Sequence, residues 1–384
     1  MALIATTDFQ INQTLFAYNN NVLIFKSNDS LKVPLFCDMT IGSFTSTIYP
    51  NPNNEFYYNF KEVFASIINT NSFQDLTNIS FNTGDVTTYV YDEEANTYKV
   101  LNVNLQVTYA DFSIENLNRQ VNILRASLDL ETFKRFQITN QLVKNTVLTT
   151  YASNGFVGFP RVGYAKYFEG YPFDITFLSD TTASLKNLTN LDTLNLTGLS
   201  KVTRLVISDG RLDSTIDTFF LISNGVNVIE FGENEYKLNL EKVEACNDGV
   251  YLKWLNPGLG DWSYWLFSNV YQRDLRVRSL GAINNDFNNL AQTTSPKLSL
   301  GKESFSQIRC TSDTVEQQES YKIATIFESP KVYLFTGTPF SKNTFQDWIE
   351  IEVSNSDITT KQMKGVVNSY DLTLELPSKN TMKL

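Results

Sequence analysis

The chain has 384 residues, with 31 Lys and Arg against 41 Asp and Glu, a net charge of −10 and a pI near 4.8, a balance that argues against broad binding to nucleic acid. With 42% hydrophobic and only 19% charged residues, it can bury substantial cores instead of remaining unfolded, and its length fits two or three domains. It contains no histidine, which excludes Ser-His-Asp and Cys-His catalysis, histidine metal ligation and a histidine pH switch, and leaves carboxylate-pair chemistry, lysine chemistry or all-oxygen metal binding open.

Three cysteines, Cys37, Cys246 and Cys310, lie far apart with no CxxC pair, so neither a disulfide framework nor a structural zinc site is expected. The start, MALIATTDFQINQ, has no basic segment followed by a long apolar one, and no later apolar run reaches the ~18 residues of a membrane span. The expectation is a soluble protein made in the cytoplasm, with no membrane insertion, no metal and no cofactor.

Asn makes up about a tenth of the chain and clusters at Asn19–Asn21, Asn51–Asn54 and Asn284-Asn285, where strands should stop. Between these breaks run short segments rich in Val, Ile, Tyr, Phe and Thr, which suit pleated, half-buried surfaces. The fold class is therefore mostly β, antiparallel sandwich or barrel domains with a few short helices.

In residues 1–150, an N-terminal β-rich domain, strands are predicted at Val22–Phe25, Val33–Phe36 and Glu55–Phe60, and a short helix over Lys61–Asn69. Thr87–Tyr91 and Tyr98–Val107 flank the acidic turn Asp92–Asn96 and predict a hairpin. A helix is placed around Asn116–Phe136. Residues 151–283, a central sandwich or barrel, open on the aromatic stretch Gly155–Pro160 and continue as strands at Phe173–Leu178, Val202–Ser208, Thr218–Ser223, Asn227–Phe231, Tyr236–Val243 and Gly249–Leu255.

The run LKNLTNLDTLNLTGLSKVTRLVIS inside this domain has leucine spacing reminiscent of a solenoid. It supplies barely one and a half repeats, too few to stack into a continuous core. Residues 284–307 are polar and weakly periodic, and are assigned as a loop or arm. In residues 308–384, Trp348–Val353 and Asp371–Leu376 alternate strictly and predict C-terminal antiparallel strands.

The strongest local signature is Tyr251–Phe267, which holds three of the four tryptophans. Two aromatic strands joined by Asn256-Pro257-Gly258 would gather Trp254, Trp262, Tyr264 and Trp265 into core packing, a subunit interface or a sugar-stacking platform. Trp262 and Trp265 are three residues apart and so on opposite faces of a strand. Trp262, nearer the turn, is expected to be the one available to a partner. In Arg273–Arg278 the cations are all arginines, which stay protonated, so general-base work is excluded. Arg276 and Arg278 share a strand face, suited to an acidic or inter-subunit contact or to plain solvation. The acidic pairs at Asp92–Glu94, Glu233/Glu235 and Glu350/Glu352 read as solvated turn and strand faces. No EF-hand spacing or phosphate-cradling glycine loop occurs.

The candidate subunit interface is thus Trp262, Tyr264, Arg276 and Arg278. The pattern YLKWLN…GDWSYWLF over Tyr251–Phe267 resembles one in structural proteins of phages that infect Bacteroidetes, crAss-like phages included. Asn51–Glu62 and Leu372–Pro377 are similar to other segments of the same proteins. The resemblance implies a non-enzymatic virion component, such as a ring, baseplate or tail-end (muzzle) protein, with copies of itself and other tail proteins as partners. It carries over no catalytic residue. A carbohydrate-binding protein or host adhesin with stacked tryptophans is the alternative, and a glycan-cleaving enzyme with two carboxylates a third.

Overall fold

Period-two alternation builds the first sandwich. The structure, a computed structural model, describes residues 3–9, 14–69, 72–82, 84–128, 144–149, 162–213, 215–233, 236–244, 249–284, 297–312, 315–354 and 367–379. Along Tyr98–Tyr109 and Ile114–Leu124, the residues Val103, Leu105, Val107, Leu117, Val121 and Ile123 are buried while the polar residues between them mostly face out. These two strands form a hairpin. The sheet continues with Pro34–Ile41 and Phe44–Ile48 on one side, and Thr14–Phe16 pairs parallel on the other. A second sheet of Leu3–Thr7, Val22–Ser27 and Phe56–Asn59, together with the helix Lys61–Ile68, shares its core, which joins Phe25, Phe56, Phe60 and Phe64 to Met39 and Ile123.

A larger core runs from Tyr89 to Leu374. It is bounded by three sheets. One is five-stranded, in the order Val162–Phe168, Tyr236–Val243, Gly225–Phe231, Thr182–Asn187, Thr193–Thr197. Another holds Pro172–Leu178, Val202–Asp209 and Val90–Asp92. The third has seven strands in the order Trp262–Phe267, Val250–Leu255, Val332–Phe335, Trp348–Val353, Asp371–Glu375, Lys302–Thr311 and Gln272–Ser279. The leucine-rich run forms the hairpin 182–197, with Leu185 opposite Leu194 and Ala183 opposite Leu196, so its leucines face a sheet core and not a solenoid. Among the described residues no sheet closes into a barrel.

The mostly antiparallel β architecture agrees with the sequence reading, and several local assignments need correction. Residues 114–124 of the expected 116–136 helix form a strand, because Leu117, Val121 and Ile123 recur every two or four residues; 129–143 lie outside the described residues. The expected hairpin across Asp92–Asn96 does not form. Val86–Tyr89 is a 3-10 turn capped by the Asp85 side chain, and Val90–Asp92 pairs with Thr203–Leu205 instead. Residues 216–218 are 3-10 and 219–223 carry no strand. The polar stretch 284–307 includes the strands Lys297–Ser299 and the start of Lys302–Thr311. Gly155–Pro160 and Cys246 lie outside the described residues. Cys37 and Cys310 are buried free thiols, and no described helix is long and apolar enough to cross a membrane.

Candidate functional site

The tryptophan hairpin is covered on both faces. In the pairing of Val250–Leu255 with Trp262–Phe267, Leu252 lies opposite Trp265 and Trp254 opposite Ser263, so Trp254 and Trp265 share one face; Lys253 and Tyr264 share the other with Trp262. The Trp265 ring packs edge-on against Phe168 and receives Lys166 5.2 Å from its centre. Trp254 donates its Nε1 hydrogen to Thr325 Oγ1 at 2.9 Å. Trp262 is only 1% exposed and Tyr264 2%. The opposite-face assignment of Trp262 and Trp265 therefore holds, but the expectation that Trp262 and Tyr264 meet a neighbouring subunit is corrected: both are interior residues. Strand alternation told the faces apart and could not tell what covers them.

A buried charge cluster covers the Trp262 face. The Arg204 guanidinium donates to Asp174 at 2.7 Å, to Asp75 at 3.0 and 2.9 Å, and to the Tyr264 hydroxyl at 3.1 Å. The Tyr264 hydroxyl in turn donates to Asp174. Lys253 donates to Asp75 at 2.8 Å and sits within 4.5 to 5.2 Å of the Trp348, Trp262 and Tyr333 ring centres, a cation–π arrangement out of water. Two cations thus meet two carboxylates and one phenol, all buried.

Burial alone would push the Asp75 carboxyl up, yet Arg204 and then Lys253 more than offset it and hold it well below the usual carboxylate range. Burial lowers Lys253, and Asp75 opposes that shift. Burial raises the Tyr264 phenol, with the Asp174 charge adding to it. The cavity at this cluster is about 20 Å³, room for one water and no substrate. Its geometry matches a structural lock: it clamps the irregular segment that carries Asp75 and Thr77 onto two strands of the larger core.

Turn chemistry completes the cover. Gly260 has φ +72°, and a Cβ there would stand 1.9 Å from the Arg125 carbonyl oxygen, so only glycine lets this turn approach residues 125–126. Arg125 also donates to the Gly260 carbonyl at 3.3 Å.

Glu93, expected in a solvated turn, is buried, and its carboxyl lies 4.0 Å from Arg204. Burial pushes it up to about 7, against the pull of Arg204. A carboxyl raised on folding contributes stability that is full below its unfolded value near 4.5 and is lost as pH rises through 7. The Glu93 contribution to stability against urea should therefore fall by up to about 3 kcal/mol between pH 4.5 and 7, and Glu93→Gln should reduce the measured slope, the buried Asp261 carboxyl, pushed up to about 8, keeping part of it. A slope unchanged by Glu93→Gln would refute the assignment.

The exposed features are elsewhere. Gln272–Ser279 pairs with Lys302–Thr311 and continues as Ala282–Asn284 against Lys297–Ser299, a two-stranded arm at the edge of the seven-stranded sheet. Leu275 is 59% exposed, Val277 55% and Ile283 54%. Arg276 and Arg278 lie on the opposite face from Leu275 and Val277, solvent-exposed as the sequence suggested, and beside Phe305 and Glu303 in register. Sequence reading placed Arg276 and Arg278 on a strand but assigned 284–307 to a loop or arm, and so missed the ribbon's second side, where Lys297–Ser299 has no buried face to impose alternation. Glu350 and Glu352 are exposed strand residues.

No family model matches this chain, and no curated protein matches it. Among solved structures, the chain is similar to the Bacteroides ovatus mixed-linkage glucan utilization locus SGBP-B in complex with a mixed-linkage heptasaccharide, at 8% identity, covering 78% of this chain and 66% of that one, with a TM-score of 0.17. It is similar also to a structure described as bearing on host cell surface retention of a 1.5-MDa bacterial ice-binding adhesin, at 9% identity, 81% and 93% coverage and a TM-score of 0.20. A third is the BSP domain of a biofilm associated protein, at 11% identity, 80% and 63% coverage and a TM-score of 0.17.

Proposed function

We propose that this chain is a non-enzymatic structural subunit of a phage tail or tail-end complex, assembling with copies of itself as a ring or sleeve and made in the bacterial host. The observation that carries the reading is the arm, whose Leu275, Val277, Ile283 and Leu298 are exposed in the single chain while cationic residues line the same ribbon. Exposed aliphatics on an edge ribbon suit burial against a protein partner. The aromatic resemblance to phage structural proteins supports the virion setting. Sugar stacking through Trp262 is not favoured, because that ring is packed against Lys253 and Tyr333.

The test is native mass spectrometry of the purified chain and of disassembled virions, with immunogold labelling of intact particles. A multimer of defined copy number and label on the tail are expected. Replacing Leu275, Val277, Ile283 and Leu298 with serine should leave the melting transition in place and abolish the multimer. A chain found only as a monomer in both preparations would overturn the reading.

A further inference from the structure

The seven-stranded sheet splits beside the arm. Trp348–Val353 meets Asp371–Glu375 through only two residue pairs, Glu352 with Glu375 and Val353 with Leu374. Beyond them the chain turns to the other neighbour: the Leu376 amide donates to the Ser306 carbonyl and that of Lys379 to Ser304. The outer edge of Trp348–Ile351 is left with no strand partner among the described residues. The split opens a groove of about 810 Å³ with Ile326, Phe327, Val332, Ile351, Val353 and Leu376 among its walls.

Four glutamates line this groove, Glu303, Glu350, Glu352 and Glu375, and among the described residues no Lys or Arg does. Glu350 meets Lys331 from outside the lining. Glu303, Glu352 and Glu375 form no ion pair among the described residues, and Glu352 stands directly opposite Glu375. Like charges facing each other across two strands are destabilising unless a cation joins them.

The outer arm has the reverse pattern. Residues 275–284 and 297–302 carry Arg276, Arg278, Lys297 and Lys302, with Asp274 and Glu303 flanking them on the same two strands; Asp274 pairs with Arg309, and Arg276, Arg278 and Lys302 form no ion pair among the described residues. Arg276, Arg278 and Lys302, with the exposed aliphatics of the arm, thus complement Glu352 and Glu375 and the aliphatic walls of the groove.

Building on the assembly reading above, we propose that the arm of one copy docks in the split-sheet groove of the next, pairing its arginines with Glu352 and Glu375 and its edge backbone with Trp348–Ile351. Strand addition supplies the backbone hydrogen bonds, and the charges set partner and register. Arm and groove adjoin in each copy, since Arg276 and Arg278 stand opposite the groove residues Phe305 and Glu303, but an arm seated in the next copy's groove is a head-to-tail contact, and such contacts close into a ring when the rotation permits.

The full-length chain tests this by charge reversal, with native mass spectrometry as the readout and thermal melting as the folding control. Arg276→Glu with Arg278→Glu, and separately Glu352→Lys with Glu375→Lys, should each weaken self-association by about tenfold or more while the chain stays folded. Mixing the two variants should restore assembly, because each reversed arm then finds a reversed groove and each native arm a native one. A multimer in the wild type that neither reversal weakens, or a mixture that is not rescued, overturns this docking and leaves the assembly reading standing. A groove variant that still self-assembles but no longer attaches to a different tail protein assigns the groove to that protein and also overturns the proposal. A wild type found only as a monomer, purified and from virions, removes both.

Discussion

Asp75→Ala should cost about 3–5 kcal/mol of fold stability, read as a lowered urea midpoint or melting temperature. The side chain accepts from Arg204 and Lys253 together, and its removal leaves a buried guanidinium and a buried ammonium with Asp174 as the hydrogen-bonded carboxylate and the more weakly placed Glu93 4.0 Å from Arg204. That loss is a large share of a typical domain's stability. Pairing it with Lys253→Met, which removes the surplus cation, should recover part of the loss. A cost under about 1 kcal/mol for Asp75→Ala would mean the cluster is open to water.

Trp262→Ala should also cost about 3–5 kcal/mol and leave little soluble protein, with Trp265→Ala close behind. Both rings are buried, at 1% and 4% exposure, and the Trp262 ring also shields Lys253. Arg276→Ala, on the open arm, should change fold stability by no more than about 0.5 kcal/mol. If Trp262→Ala instead gave a stable chain that failed to assemble, the interior placement of that ring would be wrong.

Local chemistry made much of the fold legible. Tyr98–Val107 and Tyr236–Val243 were read as strands from their composition, and Asp371–Leu376 from its strict alternation, and all three are strands. What escaped was whatever depends on a distant cover. Trp262 and Tyr264 looked available because the residues that enclose them, Asp75, Arg204, Tyr333 and Trp348, lie in four separate stretches of chain. Glu93 looked solvated because nothing near it in sequence announces Arg204. Arg276 and Arg278 were singled out on the exposed strand where they stand, while Glu350 and Glu352 were read as an ordinary strand face and Glu303 and Glu375 were not singled out, since a groove made by a split sheet has no sequence signature.

The lock around Asp75 also sets an order of events during synthesis. Lys253 follows Asp75 by 178 residues and Arg204 by 129, so at ordinary ribosomal speeds the aspartate waits on the order of 10–40 s before both cations exist. Until then the segment over 72–82 has no counter-charges to hold it, and the aromatic hairpin 250–267 has not been made. The first sandwich, whose core spans Leu3 to Ile123, can close early, whereas the larger core must wait for the C-terminal strands 332–375. Both strands of the arm, Gln272–Ser279 and Lys302–Thr311, are made before the groove strands Trp348–Val353 and Asp371–Glu375, so its exposed aliphatics emerge before the groove of their own chain is complete. Neighbouring copies already finished would be the first to offer them a groove.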